Sequence, residues 1–383
     1  MIVITGATGF IGSRMVQHLN ESGRSDLVLV KDYPVMPVET CHGASLQGVG
    51  ASLQNDGASK MPSCPDVETC HGASLQDEGT SLQELRYIEK IPRDFFFDWL
   101  ALNQQNVDFI IHLGAEIDTL PEDTACYQEQ ILEFSQRLWS FAAMNRIPLL
   151  FAAESTEAKW HWTGHEWVGW GCGVDPSALP AQLGQSIPAL QSVPTPQSAV
   201  ASRIAEAERL KRQFDQWVLK QRVTPPLWAG FAMPEVYGPH EERLGDAASS
   251  VFQLFRQWKQ EGRMIIPVYE GSENSDNEPV MDRIFVKDVA TVFTWFMNHL
   301  PASGFYGLGT GYPRPLSAVA KIVFSILRQE EKIEFVSLSK VKDEIPNRKI
   351  DLPLNSLRKV GYKKNFTPLE KGIRIFVREF LKK

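Results

Sequence analysis

Apolar and polar positions alternate along this chain in two distinct rhythms. Ile2 to Thr5 is a run with no charged residue, too continuous for a half-exposed strand, and it predicts a short strand covered on both faces. From Ile11 to Ser22 the spacing becomes helical and stops near Gly23, and Leu27 to Val30 is a second continuous apolar run. Strand, turn, helix and strand in that order predict the opening of a doubly wound sheet. The same rhythm predicts a helix over Phe95–Leu102 and a strand with its exit turn over Val107–Ala115. A long helix follows over Gln128–Asn145, a strand over Ile147–Ala153, a helix over Ala199–Val218 and a strand over Trp228–Met233. Beyond these, helices over Ala247–Gln260, Val286–His299, Ser317–Arg328 and Leu369–Leu381 alternate with short strands. The fold class is therefore α/β: a doubly wound parallel sheet of Rossmann type with a smaller C-terminal substrate-binding lobe. Residues 1–225 form the dinucleotide-binding domain, and 226–383 form mainly the lobe, with some segments returning to the sheet.

Two stretches break the rhythm. Val38–Gln47 recurs unchanged as Val67–Gln76, and Gly-Ala-Ser-Leu-Gln begins at Gly43, Gly50 and Gly72, with a Thr variant at Gly79. Rich in Gly, Ser and Gln, residues 37–83 read as a loosely ordered insertion. A second irregular insertion spans residues 158–196 and carries Trp160, Trp162, Trp167 and Trp170. Those rings either stack on a base or sugar or pin the loop to the body. His161 and His165 in the same stretch read as solvated loop residues.

Composition narrows the function classes. A net charge of −7 over 383 residues, with no basic block, excludes a nucleic-acid binder. No apolar run is long enough for a bilayer, and the opening residues do not resemble an export signal, so a cytoplasmic protein without a membrane partner is expected. The five cysteines lack the spacing of a disulfide framework. Cys41-His42 and Cys70-His71 are copies of one duplicated segment, and no metal site is expected.

The chemistry concentrates at Gly6-Ala7-Thr8-Gly9-Phe10-Ile11-Gly12, which follows a strand and opens a helix. Gly6 permits the tight turn, Gly9 lets backbone N–H groups approach a pyrophosphate, and Gly12 allows close helix–sheet packing. At the second strand's end, Lys31 offers a cation for a 2′-phosphate and Asp32 an acceptor for a ribose hydroxyl. NADP is the expected cofactor, with NAD left open. His112, Gly114 and Ala115, at the exit of another strand, should pass beneath it through their backbone.

The turn's G-x-x-G-x-x-G spacing resembles the extended short-chain dehydrogenase/reductase superfamily. Glu235-Val236-Tyr237-Gly238-Pro239 is similar to the turn of its sugar-nucleotide epimerases. Tyr269 to Asn274, Ile284 to Val289, Gly307 to Gly311 and Leu357 to Tyr362 bring the chain near the ADP-L-glycero-D-manno-heptose 6-epimerase family. That resemblance implies NADP, an ADP-sugar ligand, a homo-oligomer and a role in lipopolysaccharide heptose precursor synthesis. It implies oxidation at the sugar's C6 and return of the hydride to the opposite face, with a Tyr as base and a Lys four residues later. It also points to Phe10 and Ile11 at the cofactor, and to Glu235, Tyr237, Glu270, Arg283, Tyr312 and Arg314 at the substrate.

The sequence departs from that pattern at the reacting centre. Aligned by its helix, Ala199 stands at the Tyr position and Arg203 at the Lys position, where Arg203 remains able to hold a ribose or phosphate. No tyrosine lies between Tyr127 and Tyr237, and a second expected Lys falls at Leu244. Ser155 is the residue left at the family's Ser position, with Glu154 and Thr156 beside it. Loss of the phenol implies a deficit of roughly two to four orders of magnitude in rate. Two readings follow: an epimerase with a degenerate centre, or a non-catalytic nucleotide-binding relative with a structural or regulatory role.

Overall fold

The computed structural model describes residues 1–31, 85–114, 126–154, 159–162, 167–170, 196–268, 278, 280–337 and 355–381. Its centre is a seven-stranded sheet in the order β13-β8-β5-β4-β1-β2-β3, and every neighbouring pair is parallel. These strands are β1 (Ile2–Thr5), β2 (Leu27–Lys31), β3 (Glu89–Pro92), β4 (Phe109–His112), β5 (Leu149–Ala153), β8 (Trp228–Ala232) and β13 (Gly304–Gly307). Because both faces are covered, the inner strands are largely apolar, whereas the edge strand β3 carries Glu89 and Lys90 and buries only Ile91.

Strand pleating sends alternate residues to two different cores. Ile2, Ile4, Leu29, Ile111 and Leu150 face α1 (Phe10–Glu21) and α6 (Val286–His299). Val3, Val28, Val30, Ile110, Leu149 and Phe151 face α2 (Phe96–Asn103), α3 (Phe134–Met144) and α4 (Pro196–Val218). A third core lies in the C-terminal lobe. It gathers α5 (Ser250–Glu261), α7 (Leu316–Leu327), α9 (Leu369–Leu381) and β10 (Met264–Val268), the last paired with β15 (Ile333–Ser337). Two short strand pairs complete the lobe's framework: β9 (Glu235–Tyr237) with β12 (Arg283–Phe285), and β11 (Val280–Met281) with β14 (Arg314–Pro315). The chain returns to the main sheet through β8, β13 and α6.

Two elements differ from the sequence reading. The helix expected over Gln128–Asn145 begins with a π-helical turn, Gln128–Glu133, before α3. Within the stretch read as irregular, β6 (Lys159–Trp162) and β7 (Trp167–Trp170) form an antiparallel hairpin beside α5. Lys-Trp-His-Trp and Trp-Val-Gly-Trp are rich in aromatic strand formers, which outweighs the polar surroundings. The repeat-bearing residues 37–83 lie outside the described residues. Among the described residues, no helix is long and apolar enough to cross a membrane.

Candidate active site

Sequential order reverses between β1 and β4, which makes their carboxyl ends the switch point of the sheet, where a crevice for ligand opens. Gly6 leaves β1 with φ of 67°, in the left-handed region. A Cβ there would stand 2.4 Å from the carbonyl oxygen of Gly114, which itself has φ of 84°. A Cβ on Gly12 would stand 1.9 Å from the Gly6 carbonyl oxygen. That oxygen is already held by the Gly9 N–H at 3.1 Å. Gly9 caps α1 in an extended conformation without a side-chain hydrogen bond, and the first turn of α1 carries no acidic residue. The free N–H groups and the positive end of the helix dipole suit a phosphate anion. Phe10 is buried and Ile11 packs against the inner core, so both offer only backbone toward the turn. Lys31 ends β2, half-buried. Asp32 and Ala115 lie outside the described residues.

His112 is the last residue of β4 and is buried. Its Nδ1 lies 2.6 Å from Thr5 Oγ1 and its Nε2 lies 2.9 Å from Ser135 Oγ. Ser135 spends its own proton on the Ile131 carbonyl at 2.5 Å, inside the π-helical turn. Nε2–H must therefore donate to Ser135, and Nδ1 must accept from Thr5. Burial, helped by the charges of Arg93 and Lys211, pushes the imidazole down to about 3, so it is neutral. The side chain links β1, β4 and α3 and has no proton to exchange at neutral pH.

Across β5 the structure assembles groups that the sequence kept apart. Helix α4 packs against the sheet through Ala207, Leu210, Phe214 and Val218, in its later half. Ala199 and Arg203 stand in its first turns, and their side chains lie outside the described residues, as does Ser155. Asp215, on the packed half, accepts a hydrogen bond of 2.8 Å from the Glu154 N–H, just past β5. Glu154 is itself buried. Lys211, one turn before Asp215, is close enough for its charge to act on both Asp215 and His112.

In the lobe, a cavity of about 430 Å³ opens between the β11–β14 ribbon and residues 365–370. Arg283, Tyr312 and Arg314 all line it, together with Arg358, Phe366 and Glu370. Arg283 is not a mobile ligand hand. Its Nε donates to Glu235 at 2.8 Å and Ser250 at 2.9 Å, and Nη1 donates to the carbonyls of Met281 and Arg314. Glu235 and Tyr237, expected at the substrate, do not line the cavity; Glu235 anchors Arg283 and Tyr237 is buried in the lobe's core. Burial raises the Tyr237 phenol far above its ordinary range. Arg314 is exposed and loosely paired with Glu370 at 3.4 Å. Glu270 lies outside the described residues. Leu244 packs on the lobe's core.

No family model matches the chain. It is 26% identical over 394 residues to an ADP-L-glycero-D-manno-heptose-6-epimerase of Fusobacterium nucleatum, covering 100% of this chain and 98% of the relative. A protein of the same description from Nitratidesulfovibrio vulgaris is 24% identical over 386 residues, with 100% and 98% covered. Among solved structures, the ADP-L-glycero-D-manno-heptose-6-epimerase of Helicobacter pylori matches with a TM-score of 0.59 at 16% identity, over 99% of this chain and 96% of that one. The chain is thus similar along its whole length to proteins described as ADP-L-glycero-D-manno-heptose-6-epimerases, and it shares the fold of that solved structure. Another structure with this fold, the UDP-glucose 4-epimerase of Thermus thermophilus in complex with NAD, gives a TM-score of 0.57 at 15% identity, over 99% and 98%.

Sequence reasoning singled out the first turns of α4, whereas the residues that the described part of this helix brings to the end of β5 lie in its later half. Lys211 and Asp215 were missed because attention went to the helix's first turns. The available signal was the apolar series Ala207, Leu210, Phe214 and Val218, which marks the face that meets the sheet.

Proposed function

We propose that this chain is a nicotinamide-dinucleotide-dependent sugar-nucleotide epimerase of the ADP-L-glycero-D-manno-heptose 6-epimerase type, cytoplasmic and homo-oligomeric, acting on lipopolysaccharide heptose precursors. The observation that carries the reading is the end-to-end likeness to proteins of that description. The glycine turn supports it: a Cβ at Gly6 or Gly12 would fill the cradle, so these positions suit close backbone contact with a pyrophosphate. When bound, the dinucleotide supplies reversible acceptance of a hydride. Gly6, Gly9 and Gly12 would hold its diphosphate, and Lys31 favours NADP through its charge, with NAD also accommodated. His112 holds β1 against β4, so the turn keeps its shape while ligand is exchanged. Arg314 and Tyr312 would meet the ADP-sugar, and buried Arg283 fixes the backbone carbonyl of Arg314 behind them.

One observation favours the non-catalytic alternative: the chain has no tyrosine between Tyr127 and Tyr237, and α4 therefore presents no phenol to the sheet. Incubating the protein with either C6 epimer of ADP-heptose, followed by chromatography, separates the readings when combined with calorimetric titration of NAD and NADP. Interconversion establishes the epimerase. Dinucleotide binding without interconversion establishes the non-catalytic relative, and absence of both removes each.

A further inference from the structure

A cavity of about 310 Å³ opens along the seam of α1 and α6, on the face of the sheet away from α2, α3 and α4. That volume is at the small end of the range for small-molecule sites. His18 reaches it from α1, Trp295 and His299 from α6, and Lys364 from the segment before α9. His18 lies nine residues past Gly9, roughly 13 Å along the helix, so the cavity is separate from the glycine cradle. One wall is flat and fixed. The Trp295 indole lies over the His299 imidazole, with centroids 4.4 Å apart and planes 14° from parallel. His299 Nδ1 donates to the Trp295 carbonyl at 2.9 Å, and the Tyr362 ring braces the indole edge-on at 5.5 Å. The charge at the cavity is cationic. Lys364 is exposed and makes no ion pair among the described residues. His18 Nδ1 is buried without a hydrogen-bond partner among the described residues, which is costly unless a ligand supplies one. Thr291 and Thr294 also line the cavity, but their hydroxyl protons are spent on the carbonyls of Lys287 and Ala290.

We propose that this cavity is a second ligand site, taking a small flat organic anion of the aryl-carboxylate class, with its ring against Trp295 and its carboxylate accepting from His18 and Lys364. The site does not depend on the epimerase reading. Its ligand follows from its walls. An aromatic face attracts a flat apolar body, the two unpartnered nitrogens call for an acceptor, and the lysine favours an acceptor that carries charge. Glu21, the carboxylate whose charge reaches His18, is already paired with Lys287 at 3.3 Å and leaves that need unmet. Burial, and then the charge of Lys287, hold the His18 imidazole below its ordinary 6.5; Glu21 opposes them and Lys364 adds to the fall. A bound carboxylate reverses that balance. His18 therefore takes up a proton on binding, and affinity rises as pH falls through the raised pKa of the complex. His299, the other titratable ring on the cavity, keeps its Nδ1 on the Trp295 carbonyl.

The probe is 2-naphthoate, titrated into the full chain by calorimetry with and without saturating NADP, beside 2-naphthamide and inorganic phosphate. Naphthoate should bind in a single set of sites with a Kd that NADP leaves unchanged. The amide lacks the charge and phosphate lacks the flat body, so each should bind at least roughly tenfold more weakly. His18→Gln and Lys364→Gln should each weaken naphthoate about tenfold, with NADP binding and ADP-heptose interconversion as in wild type. Lys364 is exposed, so its variant tests the site even where His18→Gln fails to fold. In NMR, naphthoate should shift the Trp295 indole N–H, assigned by its loss in Trp295→Phe, and raise the pH at which His18 titrates. No naphthoate binding, competition with NADP, equal binding of the amide or of phosphate, or a Lys364→Gln protein with wild-type affinity each overturns the proposal.

Discussion

Replacing Gly12 by Ala places a methyl carbon 1.9 Å from the Gly6 carbonyl oxygen and 2.8 Å from the Ala7 Cα. Both neighbours are backbone, so relief requires the turn itself to move. Overpacking of this kind costs about 1–3 kcal/mol. The displaced carbonyl also gives up its bond from the Gly9 N–H, another contribution of about 1 kcal/mol. The free protein relaxes by opening the turn, and a dinucleotide must close it again to bind. Affinity should therefore fall by roughly 2–4 kcal/mol, or about 30- to 700-fold in Kd. Calorimetric titration with NAD and NADP reads this directly. Gly23→Ala is the control: Gly23 also has positive φ, 87°, yet a Cβ there meets nothing within 4 Å. It should lower thermal stability by about 1–2 kcal/mol and leave binding unchanged. A Gly12→Ala protein that binds within about twofold of wild type would refute the cradle argument.

Ser135→Ala should cost about 1–3 kcal/mol in urea unfolding, because the buried His112 Nε2–H loses its acceptor; an unchanged midpoint would show that water replaces the hydroxyl. Stability should also have two pH arms. His112, pushed down to about 3, contributes stability that is full above its ordinary value of 6.5 and is lost as pH falls toward 3. Glu241, pushed by burial up to about 8, contributes stability that is full below its ordinary value of 4.5 and is lost as pH rises toward 8. Denaturant melts across pH check both arms; Glu241→Gln should reduce the alkaline one, to which Asp215, also pushed by burial up to about 8, contributes as well, and leave the acid one unchanged.

What was legible in the sequence is what repeats locally. Ile2–Thr5, the glycine turn, Val286–His299 and Leu369–Leu381 carry their own periodicity, and their bounds agree with the structure. The π-helical turn was not legible, because its identity lies in which carbonyl accepts each N–H. It is tied to tertiary partners: Ile131 gives its carbonyl to Ser135 and Gln130 gives its carbonyl to Arg93. Glu154 and Asp215 are 61 residues apart and meet only because α4 lies over β5. Arg283 read as a ligand cation because its burial against Glu235, at side-chain exposures of 1% and 10%, depends on the lobe's packing.

Gly6 and Gly114 touch across the switch point, one leaving the first strand and the other leaving the fourth. The nucleotide cradle is thus unfinished when the glycine motif has been synthesised. During translation the turn is exposed while the chain continues through β2 and β3, and its final wall arrives only when β4 slides in beside β1. A ligand that needs the finished cradle therefore binds after the central strands have paired, rewarding the correct strand order. A glycine fingerprint transplanted with its own strand and helix alone would carry the sequence of the site without its shape.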